Sequence, residues 1–144
     1  YNSDTETNVA KNVYHKVEMD ADFFDQNADF NNTNDVFTAP VTGKYWINGH
    51  VGCTDLDEDA NNFQMRVVTS NGYFWWADDP KSYNPPVDLT DVRVTIGVCA
   101  DMDAGDTVHL DFKQVGGGNT VDIFGINSTS LAGQQSYMTV YLVT

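Results

Sequence analysis

Apolar residues recur at every second position over most of this chain, and nowhere hold the i, i+3, i+4, i+7 spacing that lays an apolar stripe along a helix. The clearest run is Asp91 to Met102, with Val92, Val94, Ile96, Val98, Ala100 and Met102 in phase. Thr107 to Val115 puts Val108, Leu110 and Phe112 on one face and leaves His109 on the other; Tyr45 to Val51 alternates in the same way. Phe63–Thr69 and Tyr73–Ala77 read as a hairpin turned at Ser70-Asn71-Gly72, where Asn-Gly suits a tight turn. Val13 to Met19 alternates through Val13, His15, Val17 and Met19, and shorter strands are expected near Phe23-Phe24 and at Val36-Phe37, Val121–Ile126 and Tyr137–Thr144. Gly, Asn, Asp and Pro separate these runs. The pattern predicts an all-β antiparallel sandwich or barrel. Residues 1–12, largely polar, are expected to form a frayed lead-in to a single domain over 13–144.

Charge narrows the possible partners. Twenty-one acids, eighteen of them Asp, face seven bases, a formal net charge of −14. A surface of that sign repels nucleic acid and anionic membranes. It suits divalent cations or salty surroundings, or serves solubility alone. No apolar run approaches the ~18 residues that cross a bilayer, so membrane insertion is not expected. The chain starts at Tyr1 without initiator Met or signal-like segment, and is expected to be processed or cut from something longer. Cys53 and Cys99 are too few for a disulfide framework and have no metal-site spacing; buried free thiols are favoured over a bridge.

One stretch is specific enough to suggest a family. An acidic, aromatic-bearing segment from Ala21 leads into Phe37-Thr38-Ala39-Pro40, then Gly43, Tyr45 and an alternating strand. That order resembles the globular head of complement component one, subcomponent q (C-one-q), and the wider tumour-necrosis-factor-like jelly rolls. Ala104-Gly105-Asp106-Thr107-Val108 resembles the family's Gly-Asp-x-Val segment, and Ser136-Tyr137-Met138-Thr139-Val140-Tyr141-Leu142 its closing aromatic strand, with Thr139 where the family usually has Gly. The resemblance implies a two-sheet jelly roll that assembles as a threefold homotrimer at the tip of a fibrous chain and recognises surface glycans, lipids or proteins. The expected setting is extracellular or a virion surface, most simply a phage-type fibre tip binding a host-surface glycan or protein. A capsid-decorating trimer and a secreted C-one-q-like lectin are the alternatives.

Two features offer chemistry. Tyr73-Phe74-Trp75-Trp76 places Tyr73 and Trp75 on one face of a strand and Phe74 and Trp76 on the other; one pair is expected in the core. The other pair anchors a subunit contact or forms a sugar-stacking platform with Trp75, Trp76, Tyr83 and Asn84 as candidate ligand residues, Lys81 nearby. The second feature is the acid group Asp78, Asp79, Asp88 and Asp91 around a Pro-rich loop. In family members that bind calcium near the trimer axis the ligands come from the corresponding loop, which makes these four the candidate calcium ligands. Asp55-Leu56-Asp57-Glu58-Asp59 spaces its acids like a calcium loop but has Ala60 and Arg66 where an EF-hand needs Gly and Glu, and reads as a solvated acidic loop. His15, His50 and His109 are scattered and there is no Gly-x-Ser-x-Gly elbow, so no enzyme is expected. Asn31-Asn32-Thr33 and Asn127-Ser128-Thr129 match glycosylation sequons.

Overall fold

The alternation is realised in two antiparallel sheets whose apolar phases face each other. A computed structural model describes residues 1–83, 88–125 and 136–143, without the Tyr83 side chain. Asn84, the prolines at 85 and 86, and the sequon at Asn127 lie outside the described residues. Strands β1 (Glu6–Val9), β2 (His15–Lys16), β3 (Phe30–Asn31), β4 (Val36–Thr38), β5 (Gly43–Thr54), β6 (Ala60–Thr69), β7 (Gly72–Asp78), β8 (Val92–Met102), β9 (Thr107–Gly116), β10 (Val121–Ile123) and β11 (Tyr137–Val143) follow in chain order. A 3-10 turn spans Pro80–Tyr83.

The first sheet is built on β5. Its whole length pairs with β8, from Gly43 opposite Met102 to Cys53 opposite Val92. Its other flank is shared by β11 and β10, with β1 beyond β10. The second sheet is built on β9, with β6 and then β7 on one flank and β4–β3 and β2 sharing the other. Long-range pairing of this kind makes the two-sheet jelly-roll sandwich expected from the sequence.

Tyr45, Ile47, Val51 and Cys53 of β5 meet Met65, Val67, Leu110 and Phe112 of the second sheet in one core. Gly49 occupies the inward phase of β5 because nothing larger fits. A Cβ there would sit 2.6 Å from Leu110 and 2.8 Å from Met65, and the leucine fills that space. Tyr45 reaches through the core to donate its hydroxyl to the Val41 carbonyl at 2.7 Å, fixing the Pro40–Gly43 corner.

Several local expectations are corrected. The lead-in holds β1: Val9 is buried, Asn2 donates to Glu6, and Glu6 pairs with His15, so polar residues tie this segment down. Of the Val13–Met19 run, strand β2 covers only His15–Lys16; the Val17 amide still donates to the Leu110 carbonyl of β9 at 3.0 Å, while Val13 is exposed. Phe23-Phe24 forms no strand; the short strand falls at Phe30–Asn31, opposite β4. Both cysteines are free, but only Cys53 is buried, its thiol pushed up to about 12 by burial, with Asp91 adding to the shift. Cys99 takes the outward phase between Val98 and Ala100 and is exposed.

Candidate recognition surfaces

Strand β7 is the edge of the second sheet and pairs only with β6 among the described residues. Its register sets Tyr73 opposite Val68 and Trp75 opposite Arg66 on the outer face, with Phe74 opposite Val67 and Trp76 opposite Met65 on the inner. The expectation that one pair joins the core is not met: Tyr73 is 59% exposed, Phe74 41%, Trp75 60% and Trp76 37%. At the sheet's edge even the inward pair stays partly open among the described residues. Trp76 has one aromatic partner, Phe63, tilted 58° with ring centres 5.6 Å apart. Four adjacent exposed aromatics on a free edge form a surface that a partner would bury.

Behind Tyr73 and Trp75 lies a charged knot. The Arg66 guanidinium donates to the Asp111 carboxylate at 2.5 Å, lies 3.2 Å under the centre of the Tyr14 ring and 4.9 Å from that of Tyr73. His109 Nε2 is 3.3 Å from the other Asp111 oxygen. Burial works against ionised Asp111, yet hydrogen bonds and charge from His109 and Arg66 hold its carboxyl below the usual range. This knot stiffens the floor beneath the outer aromatics. Arg66→Ala is expected to cost about 2 kcal/mol in urea unfolding, because Asp111 is buried and would keep His109 as its remaining charged partner.

A second apolar surface lies on the outer face of the first sheet. Trp46 (38% exposed) stands between Cys99 on β8 and Tyr141 (55% exposed) on β11. Val143 extends the patch, and the His50 and Tyr137 rings stack 5.0 Å apart at its other end. Burial, then the Arg93 charge, lower the pKa of His50, so the imidazole there favours its neutral form. Trp46 and Tyr141 occupy the outward phase of their strands, where alternation alone does not mark a contact surface. The available signal was that the outward phase of 44–50 and of 137–143 has one formal charge, Lys44.

The four candidate calcium ligands are not drawn together. Asp88 is tied into the fold, accepting from the Glu58 amide at 3.1 Å and from the Asn119 side chain at 2.8 Å. Asp91 pairs with Arg93 at 3.0 Å. Asp78 and Asp79 accept local amides at the entrance to the 3-10 turn. Among the described residues no three His, Cys, Asp or Glu side chains gather to hold a metal ion.

The acid that matters most structurally is Asp57, which the sequence reading left in a solvated loop. It is buried, and its two carboxylate oxygens accept from the amides of Asp59 at 2.8 Å, Gly118 at 2.5 Å and Asn119 at 2.7 Å. Lys11 closes the arrangement from outside, donating to the Gly117 and Gly118 carbonyls at 2.5 and 2.9 Å. Gly116, Gly117 and Gly118 form an ordered turn around this carboxylate.

The 21–30 segment covers one further feature, a cavity of about 660 Å³ between it and β11. Phe23, Phe24, Phe30, Tyr137 and Tyr141 line it, with Asp22, Asp25 and Asp29 among the polar groups.

No protein-family model matches the chain, and no curated protein matches it. Among solved structures it is similar to the globular domain of zebrafish complement 1qA protein, at 15% identity and a TM-score of 0.58, covering 99% of this chain and 96% of that one. At that identity the likeness establishes the fold: a C-one-q-like, tumour-necrosis-factor-like jelly roll. No helix among the described residues is long and apolar enough to cross a membrane.

Proposed function

We propose that this chain is a non-catalytic recognition head that assembles as a homotrimer and binds a surface glycan or protein outside the cell or on a virion. The observation that carries the reading is the pair of exposed apolar surfaces on different sheets, the β7 edge and the Trp46–Tyr141 face. A twofold contact joins a patch to itself. Two different patches on one molecule suit a head-to-tail contact, which a threefold rotation closes into a ring. Aromatic anchors on both sides are what such interfaces bury. The fibre-tip setting rests on the family resemblance and belongs to the same proposal. Sedimentation in solution tests the assembly: a trimer supports it, and a monomer at micromolar concentration overturns it.

The lack of catalysis in this reading rests on the histidines, each held in a separate local pair: His15 with Glu6, His50 with Thr95 and His109 with Asp111. Calcium is part of the same proposal only as a bridge between copies. Carboxylates such as Asp78 and Asp91, brought together near a shared axis, would repel without a cation among them. Chelation is then expected to lower the melting temperature of the trimer by about 5 °C at low salt. An unchanged transition removes the metal.

A further inference from the structure

We propose that the cavity under the 21–30 segment binds a compact organic cation, of the trimethylammonium class. Its volume of about 660 Å³ lies in the ~300–1,000 Å³ range of small-molecule sites. Phe23, Phe24, Phe30 and Phe37 are among its lining residues, and aromatic ring faces carry the negative end of the aromatic quadrupole. Its acids add formal charge of the same sign. Asp25 stays in place because both its oxygens accept amides, those of Asp29 at 3.0 Å and Phe30 at 2.9 Å. Asp22 accepts from Asn32 through one oxygen only, at 3.1 Å. The Asp29 carboxylate makes no hydrogen bond or ion pair among the described residues.

These walls select among ligands. A calcium ion requires six to eight oxygen ligands, and among the described residues no three His, Cys, Asp or Glu side chains gather here to start such a set. A neutral apolar molecule would gain nothing from the carboxylates. A weakly hydrated ammonium wrapped in methyl groups satisfies both, its methyls against the rings and its charge near the acids. The net charge of −14 raises the local concentration of any such cation.

The site lies within one copy, so the inference does not rest on the trimer reading. Titration calorimetry with choline and with its neutral isostere 3,3-dimethylbutan-1-ol tests it on the whole chain. Choline is expected to bind at least tenfold more tightly than the alcohol. Phe24→Ala should weaken choline about tenfold without changing the melting temperature, because the Phe24 ring is 75% exposed. Asp29→Asn should weaken choline and leave the alcohol unchanged. Equal affinity for the two compounds, no heat from choline, or full choline affinity in Phe24→Ala overturns the proposal. Sedimentation of the same samples reports assembly separately.

Discussion

Trp75→Ala is expected to turn the trimer into monomers that keep their fold. The Trp75 ring is 60% exposed, so its removal costs the single copy little. In a subunit contact that ring would bury on the order of 100 Å², worth about 3 kcal/mol at ~25 cal/mol per Å², or roughly a hundredfold in affinity. A closed ring of three repeats the loss at every contact. Trp76→Ala is expected to dissociate the ring too, and to destabilise the monomer by about 1 kcal/mol, because Trp76 also packs on Phe63. Sedimentation separates these outcomes from unfolding. An intact trimer from both single variants removes the tryptophans from the interface. Intact trimers that no longer bind a glycan would instead make them a stacking platform.

A head-to-tail contact predicts something further. Trp75→Ala damages one surface, and Tyr141→Ala damages the other. Each variant alone should be monomeric. Mixed, the intact edge of the second can meet the intact face of the first, giving a dimer that cannot close. A self-complementary contact gives no such rescue, so the mixing experiment reads the type of interface as well as its residues.

What could be read from the sequence follows the period of two. The strands at 43–54, 60–69, 92–102 and 107–116 are long, two-faced and half-buried, and alternation there reports burial directly. The hairpin at Ser70-Asn71 was legible for a local reason, its turn chemistry. Where structure depends on a distant partner, the signal fades. Glu6–Val9 is a strand because β10 lies beside it, and nothing in Glu6-Thr7-Asn8-Val9 announces that partner. Phase alone separates Phe74 and Trp76 from Tyr73 and Trp75, but says neither which pair points inward nor that β7 is the last strand of its sheet among the described residues. Whether an aromatic is core or contact surface is a property of topology. The cavity lining, too, unites residues more than 100 positions apart, such as Phe24 and Tyr141.

Asp57 shows the same limit for a polar residue, and its removal should have the largest effect on the fold itself. The sequence shows one acid among several in an acidic loop; the structure gives it the amides of Asp59, Gly118 and Asn119. It joins the β5–β6 connection to the turn after β9, with Gln114 bridging from the Asp57 amide at 3.1 Å to the Asn119 carbonyl at 2.9 Å. Gly117 makes the approach possible: its φ is +78°, and a Cβ there would lie 2.6 Å from the Asp57 carboxyl carbon. Asp57→Ala should cost about 3 kcal/mol, since charge-assisted bonds are lost and their donors remain. That corresponds to about 8 °C in melting temperature. Burial alone would raise the pKa of Asp57, but the Asn119, Asp59 and Gly118 amides, with the Lys11 charge, bring it below the ordinary value of 3.8. The unfolded chain therefore takes up this proton first as pH falls. The contribution of Asp57 is complete above about pH 4 and is lost as pH drops through the lowered value. Urea unfolding at pH 7 and at pH 3 should show the wild type converging on Asp57→Ala at the acid end. A constant gap between the two proteins across that range would mean that the carboxylate's charge does not hold the turn.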